Sequence, residues 1–279
     1  MSSSKRLAYL GPAGTHTEQA CLSYESTSAR VPFASNSAVA TAVASGLADE
    51  GVVPIENSQE GSVNETLDLL IREAALRIRY ELVLPIKNYL VSKKGAKLED
   101  VKVVYSHPQA LAQCRSFLIK RFPDVELMAS MSTAAAVEEM LTQGEGSAAI
   151  ATRRAAELYG AQVLAENIEE NPNNMTRFVV LALEDHTPTG EDKTSICFSF
   201  DSDGPGKLQS VLEEFAVRRI NLAKIESRPT KEHLGRYIFL VDLDGHREDS
   251  KVKEALRDVE DQVSIFKIFG SYPRHRAAG

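Results

Sequence analysis

The sequence predicts an α/β protein in two parts: a two-lobed domain over residues 1–184 and a ferredoxin-like βαββαβ domain over 194–279. Three observations predict it. Short apolar runs alternate with helical patterns at least five times before residue 160. A polar stretch at 184–193, containing Pro188 and Gly190, interrupts that pattern as a linker would. Beyond it the order of periodicities is strand, helix, strand, strand, helix, strand.

Residues 7–10 read as a short strand, Gly11-Pro12-Ala13-Gly14-Thr15 as a turn, and 17–24 as the start of a helix. An Ala-rich helix is expected over 37–45. The apolar strand Val52-Val53-Pro54-Ile55 delivers Glu56-Asn57-Ser58, then Gly61-Ser62, to the head of a helix through Leu67, Leu70 and Ile71. Residues 82–91 read as a crossing strand broken by Pro85, with the return near 165–178. Two crossings imply two lobes with a ligand between them. Strands follow at 101–105, 125–129 and 148–151, with helices at 110–121, 134–141 and 153–159. The sheets are expected to be largely parallel. In the C-terminal part, strands at 194–200, 222–228, 237–243 and 263–269 enclose helices at 207–218 and 250–259.

Composition narrows the function. The chain has 279 residues, 43% of them hydrophobic and 25% charged, and a formal net charge of -7. Without a Lys/Arg-rich run, nucleic acid and acidic membranes are poor partners. The N-terminal apolar run is too short for a signal-peptide core, and no run approaches the ~20 residues of a membrane span. Cys21, Cys114 and Cys197 are distant from one another and read as reduced, cytoplasmic thiols. No histidine spacing suggests a metal, and neither a dinucleotide fingerprint nor a phosphate loop is present. No cofactor is expected.

Four helix starts offer free N–H groups and hydroxyls: Gly14-Thr15, Ser58 to Ser62, Ser106-His107-Pro108 and Ser132-Thr133. Each by itself is an ordinary cap. Together, at the C-terminal ends of strands, they would give an acidic protein a local anion site. Asn57 either caps a turn or serves the site. Gln109 and Gln113 share one helix face. Asn174-Met175-Thr176-Arg177-Phe178 places an amide, a hydroxyl, a guanidinium and a ring at the mouth of the apolar run 178–183. Alone, it could equally be a strand-end cap with a surface ion pair.

Taken together these segments resemble the prephenate dehydratases. The match is carried by Gly11-Pro12-Ala13-Gly14-Thr15, Val52 to Ser58, Gly61-Ser62-Val63, Ser106-His107-Pro108-Gln109 with Gln113-Cys114, and Asn174 to Phe178. The C-terminal part resembles an ACT regulatory domain through Ile220-Asn221-Leu222, Ile225-Glu226-Ser227-Arg228-Pro229 and Gly270-Ser271-Tyr272-Pro273. With the first strand beginning by Leu7, the chain looks monofunctional, lacking the chorismate mutase part of some relatives.

The resemblance implies a periplasmic-binding-protein-like catalytic domain. The implied reaction converts prephenate to phenylpyruvate, CO2 and water, with L-phenylalanine as allosteric effector and a homodimer or homotetramer as the assembly. The family's catalytic threonine falls on Thr176, and its cleft positions fall on Asn57, Ser106 and Gln113. Thr15, Ser58, Gly61, Ser62, Gln109, Thr133, Arg177 and Phe178 are expected to bind substrate. Arg177 would hold the pyruvyl carboxylate or brace the cleft, because an ion pair to the departing ring carboxylate would stabilise the ground state. Phenylalanine is expected at Pro205, Gly206, Lys207 and Leu208, in the loop that begins at Asp203, and at Asn221, Leu222, Glu226 and Ser227. The family usually reads Gly-Ala-Leu-Val where this chain has Gly206-Lys207-Leu208-Gln209, and often has Thr at Ala223. Arogenate dehydration, or amino-acid sensing without catalysis, are the alternatives.

Overall fold

From the N-terminus the chain runs β1 (Arg6–Leu10), α1 (His16–Tyr24), β2 (Ala29–Phe33), α2 (Asn36–Ala44), β3 (Glu50–Asn57), the two-residue β4 (Gly61–Ser62), α3 (Asn64–Arg72) and β5 (Arg77–Pro85). Next come β6 (Tyr89–Ser92), β7 (Val103–Ser106), α4 (Pro108–Gln113), α5 (Arg115–Arg121), β8 (Glu126–Ala129), α6 (Thr133–Thr142), β9 (Ser147–Ala151), α7 (Arg153–Tyr159) and β10 (Gln162–Ala165). The chain continues through β11 (Met175–Ala182) into β12 (Asp192–Ser199), α8 (Lys207–Val217), β13 (Leu222–Pro229), β14 (Tyr237–Asp244), α9 (Ser250–Glu260) and β15 (Ile265–Pro273). This computed structural model describes residues 4–73, 75–202, 204–231 and 236–275. Among them, no helix is long and apolar enough to cross a membrane.

Contacts divide the chain into two units. The first comprises Met1–Val39, Val52–Val63 and Val83–Phe178; the second comprises Ala40–Gly51, Asn64–Leu82 and Val179–Gly279. One sheet has the order β2-β1-β3-β11-β5, with β4 beside β3, and another has the order β10-β6-β9-β7-β8.

The second of these sheets is mixed, where the sequence predicts a largely parallel one. Strand β7 pairs in parallel with β8 and β9, but β6 runs antiparallel to both β9 and β10. The reason is connectivity. Strand β6 brings the chain into this sheet and β10 takes it out through the same place, so the two must point in opposite directions. The connecting segments therefore emerge side by side. Ile168 N donates to Asn88 O at 3.1 Å and Ile86 N to Asn174 O at 2.8 Å. Glu169 reinforces this crossing by accepting from Asn88 N at 3.0 Å and pairing with Lys87 Nζ at 2.9 Å.

Both faces of this sheet are covered, as a run of apolar residues along β9 requires. Leu90, Ala148 and Ile150 pack in one cluster with Cys114 and Leu118. Their neighbours Val91, Ala149 and Ala151 turn to the other face, against Val137, Met140 and Ala155. The expected helix over 110–121 is two helices. Cys114 leaves helical geometry, at φ -111 and ψ 11, and separates α4 from α5.

The ferredoxin-like expectation for the C-terminal strands and helices agrees with a four-stranded sheet of order β13-β14-β12-β15. Its β12·β14, β12·β15 and β13·β14 pairs are antiparallel. Alternate residues Ile196, Phe198, Val241 and Leu243 pack against Val211 and Phe215 of α8 and Val252, Leu256 and Val259 of α9. Both helices thus lie on one face, as a period-2 pattern opposite a 3.6-residue pattern demands.

Candidate active site

Asn57, at the end of β3, is 8% exposed, and its orientation is fixed from two sides. Its Oδ1 accepts from the backbone N–H groups of Gln59 at 2.9 Å and Glu60 at 3.2 Å, which makes the turn into β4. Its Nδ2 must therefore face the other way. There it donates to Thr176 Oγ1 at 2.8 Å and to Asn174 Oδ1 at 2.9 Å, residues 119 and 117 positions away. Met175 O, at 3.3 Å, completes the acceptor shell. Because Thr176 Oγ1 accepts this bond, the Thr176 hydroxyl hydrogen is left to point elsewhere. The incoming N–H also polarises it.

A cavity of about 560 Å³ in the first unit opens beside this pair. Of the residues expected from the sequence, Thr15, Asn57, Gly61, Ser62, Gln109, Gln113, Thr133, Thr176 and Phe178 line it. Thr15 reaches it as the cap of α1, accepting from Glu18 N at 3.4 Å and donating to Pro12 O at 3.0 Å. The turn before it needs Gly14. Its φ is +87, and a Cβ there would stand 3.0 Å from Ala155 of α7. Thr133 opens α6, which Ser132 caps through Ala135 N at 3.0 Å. Gln109 and Gln113 project from α4, and Gln113 Nε2 approaches Glu60 Oε1 at 3.4 Å.

Three expected residues are placed elsewhere. Ser106 is fully buried, and its Oγ donates to Ile150 O at 2.7 Å, stitching β7 to β9 rather than facing the cavity. Ser58 extends the pairing of β3 with β11: its Oγ accepts from Met175 N at 3.0 Å. Arg177 lies between Thr176 and Phe178 on a strand, so alternation turns it to the opposite face. It is ion-paired there with Glu56 Oε2 at 3.6 Å. Of the two roles expected for Arg177, this position fits the brace.

The cavity also gathers His16, Asn36 and Asn88, which the sequence did not single out, together with Glu60 and with His107 of the Ser106-His107-Pro108 helix start. His107 caps α4, its Nδ1 accepting from Gln109 N at 3.3 Å. Burial pushes the pKa of His16 down to about 4, although the nearby Gln19 side chain and the Glu169 charge oppose this. His16 is therefore neutral near pH 7. Its position directly after the Thr15 cap was the signal available in the sequence; Asn88, in a short crossing segment, gave none. Among the described residues, no Lys or Arg lines the cavity. Anion binding there falls to amides, hydroxyls and helix N-termini. Burial raises the Cys114 thiol to about 12, which removes it as a nucleophile.

The residues expected to bind phenylalanine belong to the second unit. Asp203 lies outside the described residues. Gly206 caps α8 in a left-handed conformation, at φ 85. Lys207 donates to Ser202 O at 2.7 Å, and its Nζ stands 5.8 Å from the centroid of the Phe200 ring. Asn221 Nδ2 donates to Asp244 Oδ2 at 3.2 Å, and Glu226 pairs with Lys224 at 3.3 Å. Ser227 is exposed, while Leu222 is partly buried against the core under α8 and α9. Pro205 and Leu208 flank Gly206 and Lys207 at the start of α8.

Comparison with known proteins bears on this cavity. The prephenate dehydratase family model matches residues 7–186, and the ACT domain model matches 188–261. A bifunctional chorismate mutase/prephenate dehydratase of Aquifex aeolicus is 44% identical over 270 residues, spanning 96% of this chain and 74% of that protein. The structure of a prephenate dehydratase from Arthrobacter aurescens in complex with L-Phe superposes with a TM-score of 0.89 at 37% identity, covering 96% of this chain and 90% of that one. A quorum-quenching acylase, GqqA, has nearly the same fold, with a TM-score of 0.87 at 27% identity over 97% of this chain and 98% of its own. The shared fold therefore leaves the chemistry to the site. With matches along nearly its whole length, the chain belongs to the prephenate dehydratase family and carries that family's C-terminal ACT domain.

Proposed function

We propose that the cavity converts prephenate to phenylpyruvate, CO2 and water, and that L-phenylalanine bound to the ACT part regulates it. The supporting observation is the 2.8 Å hydrogen bond from Asn57 Nδ2 to Thr176 Oγ1. It leaves the Thr176 hydroxyl as a donor aimed away from its own anchor. The substrate ring needs such a donor. When the ring carboxylate leaves as CO2, its bonding pair forms a new ring double bond. The neighbouring double bond shifts, and the pair of the opposite C–O bond departs with the hydroxyl oxygen. Negative charge develops on that oxygen, which the Thr176 hydroxyl stabilises as it leaves. One proton from solvent completes the water, so the dianionic substrate gives CO2, water and a monoanionic product. No nucleophile is required.

The absence of cations among the described lining residues suits this chemistry. A guanidinium on the departing carboxylate would hold it in the ground state. Acyl transfer, the chemistry for which the neighbour GqqA is named, calls instead for a nucleophile activated by a base. Thr176 Oγ1 receives a hydrogen bond from an amide, which is no base.

In this reading residues 1–184 form the catalytic domain and 194–279 the regulatory one. The active form is a homodimer or homotetramer in the cytoplasm, a compartment in keeping with three buried, free cysteines. Phenylpyruvate is followed by its ultraviolet absorbance with purified protein, prephenate or arogenate, and increasing phenylalanine. Turnover of prephenate exceeding that of arogenate, and altered by phenylalanine, is expected. No product from prephenate would overturn the reading.

A further inference from the structure

We propose that His16 and Asn88 form a neutral subsite for the carboxylate that the substrate keeps. The inference takes its ligand from the dehydratase reading, but its geometry stands apart from the Thr176 pair.

Both side chains line the cavity. Asn88 is 1% exposed, and its buried Nδ2 has no hydrogen-bond partner. His16 is the first residue of α1; neither of its buried ring nitrogens makes a hydrogen bond of good geometry, and of the polar side chains around it only Gln19 acts on the ring as a hydrogen-bonding group. A buried polar atom left unsatisfied destabilises the fold that holds it. Two such residues at one cavity mark a place completed by a ligand. Glu169 links them: its Oε2 accepts from Asn88 N at 3.0 Å, and its charge acts on the His16 ring. Lys87, at 2.9 Å, offsets that charge, so the carboxylate of Glu169 does not repel an anion outright.

The chemical types then name the ligand. An amide nitrogen can only donate, and a neutral imidazole donates through one of its nitrogens. The missing group is therefore an acceptor with more than one oxygen. The N-terminal end of α1, where His16 sits, favours a negative one. A carboxylate meets both demands. Of the two on prephenate, the retained one is assigned here. Neutral donors that hold it equally before and during reaction give uniform binding, which lowers KM without opposing decarboxylation.

The test compares Asn88→Leu, His16→Phe and His16→Gln with the unaltered protein. Asn88→Leu and His16→Phe should each raise the KM for prephenate about tenfold or more, with kcat within about threefold. The inhibition constant of phenylpyruvate, which has only the retained carboxylate, should rise by the same factor. His16→Gln restores a neutral donor and should recover much of the loss. Deleting an orphaned polar atom should leave the melting temperature unchanged or raised. Unchanged KM and inhibition constants, a KM for His16→Gln no better than that for His16→Phe, or a lower melting temperature without weaker binding would each overturn the proposal. Calorimetric titration with phenylpyruvate keeps the two readings separable. Failure to turn over prephenate would sink the dehydratase reading, whereas equal phenylpyruvate affinity in all four proteins would sink this one.

Discussion

Replacing Thr176 by valine removes one hydroxyl and conserves the shape of the side chain. The structure separates its two costs. Asn57 Nδ2 loses the acceptor at 2.8 Å but keeps Asn174 Oδ1 at 2.9 Å and Met175 O at 3.3 Å. No buried donor is stranded, so the stability loss should stay within about 1 kcal/mol. The kinetic cost is larger. One preorganised donor to a developing oxyanion is worth about 10²–10³ in kcat, or roughly 2.7–4 kcal/mol of barrier. Thr176→Ser should restore most of it. Asn57→Asp supplies the cross-check. A carboxylate can still accept from Gln59 N and Glu60 N, so the turn is kept, but it cannot donate to Thr176 Oγ1. The threonine hydrogen would then turn inward to the carboxylate, and kcat should fall about as far as in Thr176→Val. The double variant should lose little more than either single one, because the two residues act as a unit. The assay is phenylpyruvate formation at saturating prephenate, with thermal unfolding as the fold control. A kcat for Thr176→Val within about threefold of the unaltered protein, or fully additive losses, would refute the reasoning.

Other expectations concern stability. His16 titrates at about 4 in the fold against 6.5 in a model peptide, so the unfolded chain binds the extra proton first as pH falls. Its contribution is intact above about pH 6.5 and is lost progressively towards pH 4, by as much as about 3 kcal/mol. Urea unfolding from pH 7 to 4 should show that segment in the unaltered protein and not in His16→Phe; parallel curves would exclude it. Glu81 is 2% exposed and is held by Lys193 Nζ at 2.9 and 3.0 Å. Lys193→Met removes the cation from that buried carboxylate, leaving it the His275 N–H at 3.0 Å, and should cost about 3–5 kcal/mol in chemical denaturation, with Glu81→Leu recovering much of it; a loss below about 1 kcal/mol would contradict the burial argument. Gly270 has φ +153, and a Cβ there would collide with the backbone of Ile78. Gly270→Ala should therefore destabilise by more than about 3 kcal/mol, and a melting temperature near that of the unaltered protein would show that the backbone can yield.

Much of the fold was legible because its elements follow local rules. Helix α7 was readable to the residue, between the Thr152 cap and the left-handed Gly160 that bound it in the structure, and α6 to within one. The C-terminal unit was readable because its apolar residues fall at alternate positions on strands and every three to four on helices. Elements that depend on distant partners were harder. The first half of β5, Arg77-Ile78-Arg79-Tyr80, alternates charge with apolar character, and the sequence predicts no strand there. The break at Cys114 leaves no mark on a sequence that is helical on both sides. One placement could have been foreseen. Alternation alone sends Arg177 to the face opposite Thr176 and Phe178 once β11 is recognised.

By itself, the sequence determined the α/β pattern and the capped helix starts, while Asn57, Ser106, Gln113 and Thr176 were singled out by the family resemblance. The pattern and the helix starts follow from caps, periodicity and chemical type, which are properties of a few neighbouring residues. Only the tertiary structure decided what each polar atom faces. It gave Ser106 to the carbonyl of Ile150, joined Asn57 to Thr176 across 119 positions, and left His16 and the unpartnered Asn88 Nδ2 at the wall of a cavity. The physical reason is that a hydrogen bond depends on distance and direction in space, and neither is written in the spacing of residues along the chain.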